Sequence, residues 1–86
     1  MYELGLTYFR ASKYRKCLRI LKDCLKQKTF PTYEPDIYYH LGLAYCRLEK
    51  FEKSIFPYTQ CIRMIPREVS YIHERAKAPQ MIGMHK

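Results

Sequence analysis

The sequence predicts an all-α protein, an α-solenoid of short antiparallel helix pairs. Three observations carry this prediction. "ELGLTY" at residues 3–8 returns as "HLGLAY" at residues 40–45, with the two Leu-Gly pairs 37 positions apart. Apolar residues recur at three- and four-residue intervals through both copies, as one buried helix face requires. Each copy is broken once by polar residues and then resumes, so each reads as two helices joined by a tight turn. A helix pair cannot bury its apolar face alone and stacks on a like pair, which explains the recurrence.

The elements follow in order. The first helix carries Leu4, Gly5, Tyr8 and Phe9, and Ser12-Lys13 interrupts it. The second carries Tyr14, Leu18, Leu21, Cys24 and Leu25. Asp36, following Pro35, is the expected N-cap of the third, which runs through Tyr38, Leu41, Leu43, Ala44 and Tyr45. After a break at Glu49-Lys50, the fourth carries Phe51, Ile55, Tyr58, Ile62 and Ile65 and stops at Pro66. Gly5 and Gly42 lie inside first helices, where Gly costs about 1 kcal/mol relative to Ala. The expected return is a close helix approach that a Cβ would prevent.

These residues resemble the tetratricopeptide repeat family. Its unit of about 34 residues has an aromatic-x-x-Leu-Gly-x-x-Tyr helix, a small-x-x-x-aromatic second helix, then Pro. Tyr38, Leu41, Gly42 and Tyr45 fill the first part, Ser54 and Tyr58 the second, and Pro66 closes. The earlier copy supplies Leu4, Gly5, Tyr8, Tyr14, Cys17 and Leu21, followed by a long linker, "KTFPTYEPD". A third copy begins in "SYIHERAKAPQMIGMHK", with Ala76 in the Gly place and Gly83 in the turn place. The resemblance implies one TPR-like domain over residues 1–86, a right-handed superhelix. Repeat one spans 1–31, a linker 32–35, repeat two 36–68 and a partial repeat three 69–86. A stable array needs about three repeats with polar outer caps. By its phase the chain reads as a segment of a longer solenoid, whose uncapped ends could self-associate. Pro57 falls inside a second helix, and Pro79 replaces the family's Tyr. Each removes a helical hydrogen bond, so a kink at Pro57 would bend its helix and residues 69–83 are not expected to form one straight helix, unless a larger assembly tolerates both.

Composition sets bounds on function. Eighty-six residues make one small domain. Four Cys, none in a C-x-x-C pair, give neither a disulfide scaffold nor a zinc site. Charged residues arrive before any leader-like apolar run, and no membrane-length apolar segment follows. The simplest address is intracellular and cytoplasmic, with cilia and the cytoskeleton among the family's settings. His40, His73 and His85 lack partners at metal-ligand spacing, so they read as surface or groove histidines. The cysteines read as small core residues. No phosphate loop or nucleophile motif appears. The expectation is no enzyme, no cofactor and no metal.

Two surfaces remain. First helices of the family line a concave groove for peptides. By phase that groove holds Tyr2, Leu6, Phe9 and Arg10, then Tyr39, His40, Leu43 and Arg47, then His73 and Lys77. Apolar anchors rimmed by cations suit a protein or peptide partner with acidic flanks. The competing reading is plain inter-repeat packing. Family members that capture chaperone tails clamp a carboxylate with Lys, Asn and Arg. Those places here hold Tyr2, Leu6, His40, Ser70 and Glu74, so no such clamp is expected. The second surface is a basic stripe: Arg15, Arg19, Lys22 and Lys26 follow i, i+4, i+7, i+11 and share one helix face. Net charge is +8, and residues 10–28 hold eight cations against Asp23 alone. The stripe fits an acidic protein or filament surface. Nucleic acid fits less well, because no stacking platform accompanies the charges. A solvated helix face is the alternative.

Overall fold

The computed structural model describes the backbone of residues 2–27 and 33–85, and side chains as far as Lys77. Over these residues the chain is all-helical: α1 (Tyr2–Arg10), α2 (Tyr14–Gln27), α3 (Glu34–Arg47), α4 (Phe51–Met64) and α5 (Val69–His85). Each helix packs on the next in the chain, and α3 also touches α1 and α5. Three-residue connections join α1 to α2 and α3 to α4, so each pair folds back on itself.

Both turns have the same backbone construction, 37 residues apart. Ser12 and Glu49 each adopt φ 62°, the left-handed conformation that ends a helix. The Lys13 amide donates to the Tyr8 carbonyl at 2.8 Å, and the Lys50 amide donates to the Tyr45 carbonyl at 2.8 Å. Non-glycine residues pay a steric cost in this region. Glu49→Gly is therefore expected to stabilise the chain by about 0.5–1 kcal/mol, read as a higher urea midpoint.

The close approach expected at the two glycines is present. A Cβ on Gly5 would lie 2.7 Å from Leu21 Cδ2, and one on Gly42 would lie 2.6 Å from Tyr58 Cδ1. Leu21 and Tyr58 occupy equivalent positions in the 37-residue register, and both are fully buried. One core cluster joins Cys17, Leu18 and Leu21 of α2 to Ile37, Leu41 and Ala44 of α3. A second joins Tyr58 and Cys61 of α4 to Tyr71 of α5. Ser54 takes the small-residue place of Cys17 and satisfies its buried hydroxyl by donating to the Phe51 carbonyl at 2.6 Å.

Several expectations are corrected. Asp36 does not cap α3. The helix begins at Glu34 after Tyr33 and includes Pro35 in its first turn, where the missing amide costs nothing. Glu34 and Pro35 thus belong to the helix, and residues 28–32 lie outside the described part. Leu4, the counterpart of buried Leu41, is 45% exposed, because α2 covers Leu41 while no described helix covers Leu4. Ile65 ends outside α4 as its C-cap and is exposed. α5 continues through Pro79 without a break, and Pro57 lies buried inside α4.

Burial pushes the Cys17 and Cys61 thiols up to about 11. A folded pKa above the unfolded value adds stability that is complete below the unfolded pKa, here 9.0. That contribution disappears as pH rises toward 11, so the urea midpoint should fall over this interval. At neutral pH a thiol reagent should label half-buried Cys24 and Cys46 first, and reach Cys17 and Cys61 only on unfolding.

Candidate functional site

The residues expected to line a groove fall on α1, α3 and α5. Tyr2, Leu6 and Arg10 repeat as Tyr39, Leu43 and Arg47 in the 37-residue register, at spacing i, i+4, i+8 on each helix. This spacing sets the three side chains on one face. Leu6 and Leu43 are half-buried, whereas Arg10 and Arg47 are exposed in the last turns of α1 and α3. Cations there also complement the negative end of the helix dipole.

A line of ring contacts crosses all three helices. Phe9 meets His40 edge to face, with ring centres 5.6 Å apart. His40 meets Tyr39 at 5.5 Å, and Tyr39 meets Tyr71 at 4.9 Å. Tyr2 stands apart from this line and stacks on Tyr33 at 5.1 Å. Burial raises the pKa of Tyr39, with Glu74 adding to it, and raises that of Tyr2, with Asp36 adding to it. Both phenols are therefore neutral donors at neutral pH. The His40 Nδ1–H donates to the Asp36 carbonyl at 2.9 Å, which leaves Nε2 as the ring nitrogen open to a partner.

The structure does not treat the expected residues alike. Phe9, His40 and Tyr39 come together. Tyr39 also contacts Tyr58 at 6.3 Å, so much of its ring serves packing of α4 and α5 on α3. His73 and Lys77 are exposed on α5, and Lys77 pairs with Glu74 at 3.5 Å. Of the cations expected at the rim, Arg10 and Arg47 are exposed and Lys77 is paired with Glu74.

Two contacts hold α5 in place that the sequence reading missed. The Tyr71 hydroxyl donates to Asp36 Oδ1 at 2.9 Å, and Arg75 Nε donates to Thr59 Oγ1 at 3.0 Å. Burial first, and the Asp36 bond second, hold the Tyr71 hydroxyl well above its ordinary pKa. Asp36 and Tyr71 stand 35 residues apart, close to one repeat, and that near-period spacing was the available signal.

The stripe residues Arg15, Arg19, Lys22 and Lys26 are all exposed on α2. Lys22 Nζ lies 5.5 Å from the centre of the Tyr45 ring, and Lys16 Nζ lies 5.8 Å from that of Tyr8. A shallow depression of about 320 Å³ opens at the start of α2, lined by Ser12, Lys13, Tyr14, Arg15, Lys16 and Leu48.

Among the described residues no cluster of three or more His, Cys, Asp or Glu side chains could hold a metal ion. No described helix is long and apolar enough to cross a membrane. No protein-family model, curated protein or solved structure matches the chain.

Proposed function

We propose that the chain is a non-enzymatic interaction module, a TPR-like α-solenoid whose first helices form a groove for a peptide or protein partner. The observation that carries this reading is the ring line from Phe9 through His40 and Tyr39 to Tyr71. It crosses three first helices beside half-buried Leu6 and Leu43. Tyr39 and buried Tyr71 tie the helices together, and the apolar area left to a partner lies at half-buried Leu6, Phe9, His40 and Leu43. The paired turns and the paired glycine contacts, both in the 37-residue register, support the repeat reading. Open Arg10 and Arg47 favour a partner with acidic residues beside its apolar anchor.

The test is selection of peptides from a displayed library against the whole chain, followed by affinity measurement on variants. Leu43→Ala with Arg47→Glu avoids the packed Tyr39 ring and should weaken selected peptides at least about tenfold while the far-UV CD spectrum holds. Unchanged affinity would refute groove binding.

A further inference from the structure

We propose that the outer face of α2 is a separate docking surface, and that its partner is an acidic helical segment of a protein. This rests on the packing of α2 alone and does not depend on the groove. Arg15, Arg19, Lys22 and Lys26 stay exposed because Cys17, Leu18 and Leu21 turn a different side of α2, centred about 120° away, into the core. At 1.5 Å per residue the four cations span about 16 Å along the axis, within about 60° of one another. Among the described residues none of the four forms an ion pair; the described pair is Lys77–Glu74, on α5. The strip of positive charge is therefore unneutralised within the described chain.

The geometry selects among anionic partners. Axial steps of about 6, 4.5 and 6 Å are those of a helix read at i, i+4, i+7, i+11. An acidic helix laid along α2 with carboxylates in that pattern matches every step. An extended chain, advancing about 6.6–6.8 Å for each side chain on one face, drifts out of step. The nearby rings already engage lysines, Tyr8 with Lys16 and Tyr45 with Lys22, and among the described residues no run of exposed rings accompanies the stripe on α2 as base stacking would require. The depression beside Lys13, Arg15 and Lys16 receives the end of the acidic segment, at the junction of the two repeats. Exposed ion pairs are individually weak, so the four act together and their sum is salt-sensitive.

The experiment uses a fluorescent Ala/Gln-rich peptide carrying four Glu at the i, i+4, i+7, i+11 spacing, with anisotropy read at low and physiological salt. An isomer spreads the same Glu residues around the helix. Arg19→Glu with Lys22→Glu should weaken the striped peptide at least about tenfold. Arg15→Gln with Lys26→Gln, at the stripe ends, should weaken it in the same direction and guards against misfolding of the first variant. Lys53→Glu with Arg63→Glu makes the same charge change on exposed sites of α4 and should leave binding unchanged. Equal losses from the α2 and α4 reversals would reduce the effect to net charge and overturn the proposal. Equal binding of the two peptide isomers would overturn the helical partner. Tighter binding of a single-stranded oligonucleotide than of the striped peptide, or no peptide binding at low salt, would do the same for a protein partner.

Discussion

Tyr58→Ala is expected to cost about 3–5 kcal/mol, the range for removing a large ring from a packed core. Tyr58 is fully buried, packs beneath Gly42, touches the Tyr39 ring and shares one cluster with Cys61 and Tyr71. Its hydroxyl lies 3.5 Å from Cys46 Sγ. Truncation therefore opens a void where α3, α4 and α5 meet. A domain of this length has a total stability of only about 4–13 kcal/mol, so one residue removes a large share of it. Thermal unfolding by CD should show a fall of at least about 12 °C. Phe56→Ala is the control, because that ring is 63% exposed and its loss should cost no more than about 0.5 kcal/mol. Equal costs for the two changes would contradict the placement of Tyr58.

Gly42→Ala is the second large effect, and its sign decides between two opposed contributions. Alanine gains about 1 kcal/mol of helix propensity. The new Cβ would lie 2.6 Å from Tyr58 Cδ1, and a fully buried ring cannot swing aside. Overpacking of this kind costs about 1–3 kcal/mol. The obstacle is rigid, so the steric cost wins and the variant is less stable than the parent. Gly5→Ala should cost less, because its obstacle is the branched end of Leu21 rather than a ring. A double-mutant cycle with Tyr58→Leu should recover about 1 kcal/mol relative to the summed single changes. An additive cycle, or a stabilised Gly42→Ala, would remove the reason for glycine at this position.

Those two glycines show where the fold was legible. A residue that weakens a helix, repeated at the same place in two copies, pointed to close helix contact, and the contact is there. The breaks at Ser12-Lys13 and Glu49-Lys50 likewise became two turns of one construction. Other features depend on neighbours that periodicity does not name. Leu4 and Leu41 have the same local pattern, but only Leu41 has α2 lying across it. Asp36 after Pro35 looks like a cap, yet proline is itself at home in a first turn, so the helix starts earlier and Asp36 is left to receive the Tyr71 hydroxyl. Tyr39 was placed on the groove face by phase alone. Phase does not reveal how closely α5 comes against that ring.

The groove is tested most directly by amide chemical-shift mapping of a selected peptide on the isotope-labelled chain. Groove binding predicts that the largest shifts fall on Leu6, Phe9, His40 and Leu43, with Arg10 and Arg47 at the margin. Shifts concentrated on α2 from Arg15 to Lys26, or on the outer side of α4 around Phe56, would contradict it and move the binding function to the opposite side of the helix pairs.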